Sequence, residues 1–350
     1  MSTPAPHAPA VRDRLTVLDC TLRDGGYYTN WEFDDALVED YLRVCAHTGI
    51  DIVELGYARF DPGGRGPYGR LPAGLTPNLP KVLPDGHGLR FAVMVDASGL
   101  AGVPAAETGP RLAELLATGS LPVDLVRVAV HHSRAAGLAA EIASLRAAGF
   151  GVGLNLMQID LATPAEVTAL VRTVADLGPL EAVYVADSLG SLHAARIAEL
   201  VALFRTGQDA PVGIHGHDNQ GFALRNTLAA AEAGATWLDA TVLGMGRGAG
   251  NARTEQLLAA LGTAPDTLQP MLDLVARRFE PLRDTHRWGA GALYAIAGMR
   301  RVHPTYVQRL EENAERDVET KLRALRHLAG QHATSFTPQA LEDALRHACA

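Results

Sequence analysis

Two histidines stand two residues apart in GIHGHDN, at 213–219. On an extended strand His215 and His217 leave one face and Gly216 leaves the other. Two imidazoles converging at a strand end make half of a metal site. An anionic ligand is on offer in LDCTLRDGGYYTNW, at 18–31, which sets Asp19, Arg23 and Asp24 at or just past another strand end. One carboxylate with two imidazoles leaves positions open for water and a bidentate substrate, the pattern of a catalytic rather than a structural site. Arg23 adds a permanent positive charge suited to an oxyanion that develops during reaction. Alone, each segment has a plainer reading: hydrogen-bonded histidines in one case, an ion pair in a turn in the other. Their co-occurrence favours a metal.

A third segment, GMGRGAGNARTEQL at 244–257, places four glycines within seven residues. Glycines let backbone approach a ligand closely, and the helix that follows offers its amide end to an anion. Asn251 can supply a further metal ligand or a supporting hydrogen bond. Glu255 reads as a helix-start or rim partner. Turn formation explains such a loop about as well.

These residues need a scaffold that brings distant strand ends together. Short apolar, β-branched runs recur at intervals of roughly 25–40 residues, the rhythm of βα units. They are LTVLD (15–19), DIVELG (51–56), RFAVMV (90–95), DLVRVAV (124–130), GVGLNLM (151–157), AVYVAD (182–187), PVGIHGH (211–217) and TWLDATV (236–242). Segments with helical periodicity separate them, clearest at 138–149 and 223–234, each closing on a glycine. Eight strands with intervening helices match a (β/α)8 TIM barrel over 15–262. A doubly wound open sheet fits less well, because the first βα turn has no GxGxxG. Residues 59–89 are crowded with Gly and Pro and follow the second strand, so they belong on the catalytic face as a lid or binding loop; a disordered insertion is the alternative. From 263 to 350 the pattern is helical throughout and reads as a C-terminal helical subdomain.

Bulk properties exclude several classes. The 350-residue chain is 47% hydrophobic with a net charge of -8, which suits one large domain with an appendage and argues against nucleic-acid binding. Cys20, Cys45 and Cys349 show no regular spacing, so neither a disulfide framework nor a zinc knuckle is expected, and a reducing compartment fits. Residues 1–14 read as a disordered arm without the apolar stretch of a signal peptide. No apolar run approaches the ~18–20 residues of a membrane helix. The expectation is a soluble cytoplasmic protein.

In this order and spacing, LDCTLRDGG, GIHGHDN and GMGRGAGN resemble the DRE-TIM metallolyase superfamily, over about residues 15–262. The superfamily includes 3-hydroxy-3-methylglutaryl-CoA lyase, the isopropylmalate and homocitrate synthases and 4-hydroxy-2-oxovalerate aldolase. The resemblance implies Asp24, His215 and His217 as metal ligands, with Asn251 an occasional fourth. It implies Arg23 as the enolate-stabilising arginine and Asp19 as a support of the turn. The implied cofactor is one divalent ion, Mn2+ as first choice, with Mg2+, Zn2+ or Co2+ as the others.

Within the superfamily the chain is most similar to the aldolase branch. The turn reads RDGG where the acetyl-CoA synthases read RDGEQ, and 350 residues leave no room for a large regulatory domain. VADSLG (185–190) resembles the pyruvate-contacting segment of the aldolases, which implies Ser188 beside the substrate carboxylate. One departure stands out. Those aldolases carry a catalytic His three residues after the ligand Asp, where this chain has Tyr27, followed by Tyr28. A phenol with a pKa near ~10 is a weak base at neutral pH unless a cation lowers it. The base is Tyr27, His131, His132, a metal-bound hydroxide, or Tyr294 in GAGALY (289–294), which resembles a tyrosine segment of the aldolase tail. Arg127 and Asn155 either bind distal substrate groups or fill the polar upper layer of the barrel.

The expected reaction is cleavage or formation of a C–C bond of a small 2-oxo acid through a pyruvate enolate. Two readings compete: an acetyl-CoA-dependent Claisen acyltransferase, and a degenerate barrel kept as a scaffold. A homodimer is the prior for such barrels, and the resemblance implies a partner enzyme docking on the C-terminal helices.

Overall fold

Buried on both faces, the apolar runs pair as parallel strands. The computed structural model describes residues 14–61, 63–313 and 316–349, so all but the last residue of the arm expected at 1–14 lies outside the described residues. The strands are β1 (Thr16–Asp19), β2 (Ile52–Tyr57), β3 (Arg90–Asp96), β4 (Leu125–His131), β5 (Gly151–Met157), β6 (Ala182–Asp187), β7 (Val212–Gly216) and β8 (Trp237–Ala240). They form a closed barrel in sequence order, and β1 pairs with β8. The expected TIM barrel is observed. Alternation gives each strand one face toward the helices and one toward the barrel axis.

The axis is filled in layers. An apolar plug contains Leu18, Ile52, Ala92, Leu125, Ala182 and Trp237. A charged layer comprises Glu54, Arg127 and Asp239, all buried, which alternation places one strand step further along than Ile52, Leu125 and Trp237. Two glycines make room for its bulk. A Cβ on Gly153 would come within 3.1 Å of Arg127, and one on Gly213 within 2.5 Å of the Tyr184 ring.

The Gly/Pro-rich segment after β2 is irregular, with short 3-10 turns at Pro67–Gly69 and Leu79–Val82. Tyr68, Leu71, Leu75 and Leu79 are nonetheless buried in the main core. The disordered alternative is corrected: Gly and Pro forbid regular structure here, while the apolar side chains between them still anchor the segment.

The helical region after 263 packs in two parts. Helices Pro265–Leu274 and Glu280–His286, joined by a wide turn, lie against the barrel; Met271, Leu274 and Phe279 enter the main core, and Arg278 pairs with Asp40 at 2.7 Å. Helices Ala292–Arg300, Pro304–Glu312, Val318–Gly330 and Pro338–Cys349 build a separate apolar cluster around Ala297, Val307, Leu325 and Ala344. Among the described residues, no helix is long and apolar enough to cross a membrane.

Candidate active site and metal cradle

Asp24 closes a one-turn helix, Thr21–Asp24, that follows β1 directly. Asp19 pins that turn, accepting from Thr21 N (2.9 Å), Tyr41 Oη (2.6 Å) and Thr254 Oγ1 (2.5 Å). Gly26 is required by close approach, since a Cβ there would lie 2.1 Å from the Trp31 ring. Trp31 in turn donates Nε1–H to Arg23 O at 2.8 Å. Sequence-distant Asp24, His215 and His217 meet with candidate ligand atoms all within 4.8 Å of one another, and all three are buried.

The donor set fits a divalent cation. Asp24 Oδ2 and Asn251 Oδ1 are buried without a hydrogen-bond partner, as is His217 Nδ1. Buried carboxylate and amide oxygens are rarely left so unless an ion or water meets them. Both oxygens flank Gly246, where a Cβ would sit 1.8 Å from Asn251 Oδ1 and 2.9 Å from Asp24 Oδ2, so a side chain at 246 would fill the cradle. His215 Nδ1 is engaged by Asp239 Oδ2 at 2.9 Å, which turns Nε2 toward Asp24 Oδ2, 3.7 Å away. Burial pushes the Asp24 carboxyl up, but Arg23, His217, His215 and Arg247 together outweigh it and hold the group well below the usual carboxylate range. Burial, with Arg247 beside it, pushes the His217 imidazole well below its ordinary value. Ionised Asp24 and neutral His217 are the forms that bind metals. A second grouping, Cys20 with His215 and Asp239, fits poorly: burial pushes the Cys20 thiol well up, so it stays protonated.

Ion pairs join the candidate ligands through the barrel interior. Arg23 Nη1 meets Asp24 Oδ1 at 2.7 Å and its Nε meets Glu54 Oε2 at 2.7 Å. Glu54 Oε1 lies 3.1 Å from Arg127 Nη1, whose Nη2 donates to Asp239 Oδ2 at 2.5 Å. Asp239 returns to His215. Glu54 and Asp239 were missed from sequence, although a lone carboxylate inside an apolar strand (IVELGY, TWLDATV) is a signal that something buried must pair with it. Of the two readings of Arg127, substrate contact or polar layer, its surroundings favour the polar layer. Its guanidinium is fully buried between two carboxylates and stacks 4.1 Å from the Tyr184 ring centroid, so it belongs to the layer beneath the site.

The remaining candidates are distributed around the mouth. Tyr27 Oη lies 3.2 Å from Tyr57 Oη, and Tyr294 Oη lies 3.2 Å from Tyr28 Oη, so the two expected tyrosines sit in separate pairs. Tyr28 also donates to Gly248 O at 2.6 Å, joining the first turn to the glycine-rich loop. Burial pushes the Tyr28 phenol up to about 12 and the Tyr294 phenol well above its usual value. A cavity of about 490 Å³ borders Tyr27, Tyr28, Tyr294 and Gln308. Ser188 is buried, its Oγ accepting from Gln158 N at 3.0 Å. Asn155, buried on β5, keeps Oδ1 without a partner. His131 and His132 stack on each other, and among the described residues no hydrogen bond or ion pair ties them to the metal cradle. Sequence reading also passed over Arg247, whose Nη2 lies 3.2 Å from His217 Nε2.

A barrel with this cradle defines a class. Residues 14–278 match the HMGL-like family model, and the chain belongs to that family. It is 35% identical over 254 residues to a 4-hydroxy-2-oxovalerate aldolase of Burkholderia pseudomallei, covering 71% of this chain and 68% of that one. Another 4-hydroxy-2-oxovalerate aldolase, from Brevibacillus brevis, is 29% identical over 77% of both chains. Among solved structures, the N-terminal domain of a proposed aldolase from Bacteroides vulgatus superposes with a TM-score of 0.72 at 28% identity, over 85% of this chain and 97% of that one. The carboxyl transferase domain of Rhizobium etli pyruvate carboxylase shares the fold, with a TM-score of 0.68 at 17% identity, over 96% of this chain and 62% of that one.

Proposed function

We infer that the chain is a divalent-metal-dependent aldolase that cleaves or forms the C3–C4 bond of a 4-hydroxy-2-oxo acid. The observation that carries this reading is the pair of buried, partnerless oxygens on Asp24 and Asn251, beside two imidazoles and the Arg23 guanidinium. Asp24, His215 and His217 hold the ion, with Asn251 beside them. When bound, the cation supplies Lewis acidity toward a 2-oxo group. Mn2+ is the favoured ion, with Mg2+, Zn2+ or Co2+ compatible with the same donors.

The protein groups then have distinct tasks. Arg23 Nη2 is buried and without an internal partner, which leaves one N–H-bearing nitrogen for the oxyanion that develops on C2. A base at the mouth takes the 4-hydroxyl proton. The C3–C4 bond breaks, its electron pair moves into C2–C3, and an aldehyde and pyruvate enolate result. Protonation at C3 completes pyruvate. Tyr27, in contact with Tyr57, is the candidate base; Tyr294, held by Tyr28, is the candidate to orient the leaving aldehyde. Ser188 and Asn155 face the 2-oxo acid.

Three free cysteines agree with a reducing, cytoplasmic setting. A homodimer is the proposed assembly, and the helices from Ala292 onward, with Met299 63% exposed, are the proposed dock for a partner enzyme.

The test is pyruvate release from a panel of 4-hydroxy-2-oxo acids with Mn2+, then with chelator. Chelator-sensitive pyruvate is expected. No pyruvate from any member, with metal bound, would overturn the reading, and free thiol formed from acetyl-CoA plus a 2-oxo acid would replace it with the acyltransferase.

A further inference from the structure

Arg247 stands apart from the arginines at and beneath the site. Arg23 and Arg127 each pair with carboxylates of the protein. Arg247 donates Nη2 to Ser188 O at 3.0 Å, and its other polar neighbours are imidazole nitrogens, His217 Nε2 at 3.2 Å and His303 Nε2 at 3.4 Å. Among the described residues no Asp or Glu lies within ion-pair distance of it. A guanidinium carries five N–H donors in a planar fork, so one carbonyl and two imidazoles leave it with donors and a full charge to offer. Its base is fixed on both sides. Gly246 is packed against Asn251 and Asp24, and Gly248, at φ +67, is packed against Pro304 and Tyr294. The side chain therefore starts from a pinned backbone and ends, half-buried, between a proposed metal ligand and Ser188.

We propose that Arg247 is the receptor for the carboxylate of the 2-oxo acid, binding it beside Ser188 and so holding the substrate at the end away from the breaking C3–C4 bond. The proposal rests on the aldolase reading of the site. Arg is suited to this task because its fork matches the two oxygens of a carboxylate. A carboxylate that keeps the same pair in ground and transition states gives uniform binding, so losing the pair raises KM more than it lowers kcat.

The experiment is calorimetric titration of pyruvate into the Mn2+-loaded protein, with steady-state cleavage of 4-hydroxy-2-oxovalerate alongside. Arg247→Gln and Arg247→Lys are compared with the unchanged chain, and metal content is measured for each because His217 is adjacent. Pyruvate carries one carboxylate and no distal group, so it isolates the contact. The expected result is a roughly ten- to hundredfold weaker pyruvate affinity and a matching rise in KM for Arg247→Gln, with metal retained. Arg247→Lys should recover part of both. Unchanged pyruvate affinity in Arg247→Gln would overturn the proposal and leave the aldolase reading standing. So would an unchanged KM for 4-hydroxy-2-oxovalerate in Arg247→Gln. If the unchanged, metal-loaded chain neither binds pyruvate nor releases it, the aldolase reading fails and takes this proposal with it.

Discussion

Glu54 holds Arg23 by its Oε2, 2.7 Å from Nε, while its other oxygen lies 3.1 Å from Arg127. Through this one carboxylate the arginine at the mouth is fixed to the barrel interior.

Glu54→Gln keeps the shape but removes the charge between two buried guanidinium groups. Breaking a buried pair from one side costs about 3–5 kcal/mol. Urea denaturation of the metal-free chain should show a loss of that order, and turnover should fall at least ~10-fold as Arg23 loses its fixed orientation. Arg23→Ala should lower kcat by roughly 10²–10³ and, because it leaves Asp24 and Glu54 without a buried partner, should destabilise the metal-free chain at least as much as Glu54→Gln. Near-normal turnover in Arg23→Ala would remove it from the mechanism.

The cradle makes a binding prediction independent of turnover. Mn2+ at a hundred times its dissociation constant should stabilise the unchanged chain by about 2.7 kcal/mol, read as a rise in Tm that chelator reverses. Asp24→Asn and His217→Ala should lose most of that rise. An undiminished shift in both variants would place the ion elsewhere.

Proton transfer at the mouth can be assigned by removing one hydroxyl at a time. Tyr27→Phe is expected to lower kcat by ~10²-fold or more, the usual contribution of a general base. Tyr294→Phe is expected to have a smaller effect, concentrated in the preference among aldehyde acceptors. Isotope exchange at C3 of pyruvate, which needs no aldehyde, gives a second readout. The reverse ranking in both assays would transfer the base to Tyr294.

His303 gives a pH prediction. Burial, with Arg247 beside it, pushes this imidazole down to about 3 from its ordinary 6.5. The unfolded chain therefore takes up a proton that the folded chain refuses between those values. Stability is unaffected above the unfolded pKa and falls as pH drops from about 6.5 toward 3, by up to ~1.4 kcal/mol per pH unit. His303→Asn keeps a side chain able to cap helix Pro304–Glu312, a role the imidazole fills by accepting from Thr305 N. The drop in unfolding free energy between pH 7 and pH 5 should be smaller in His303→Asn. Equal drops would show that His303 does not titrate with folding.

The scaffold is largely legible in the sequence. Parallel barrel strands are buried on both faces, so runs such as LNLM and VYVAD stand out by composition alone, and HxH spacing forces His215 and His217 onto one face. Less readable was anything set by closure of the barrel. Glu54, Arg127 and Asp239 come from three strands, and only the tertiary register brings them into one layer. Sequence alone therefore left Arg127 open between a substrate contact and a polar-layer residue. The tyrosine pairs were hidden for the same reason: pairing of Tyr27 with Tyr57, and of Tyr28 with Tyr294, depends on which side of a one-turn helix each leaves. Arg247 was hidden among glycines whose turn-forming role is the ordinary explanation.

The chain of ion pairs has a consequence for how the site tolerates charge. Asp24, Glu54 and Asp239 bring three negative charges, Arg23 and Arg127 bring two positive ones, and Arg247 brings the inventory to zero. With a divalent cation in the proposed cradle the mouth stands at plus two. Pyruvate carries one negative charge and its enolate carries two. These groups balance without metal, and with metal they balance again when the enolate forms, provided that the departing 4-hydroxyl proton is counted on the base and not among them. Enolate formation thus separates charge: the negative charge gathers against the cation and arginines while the proton leaves for the rim.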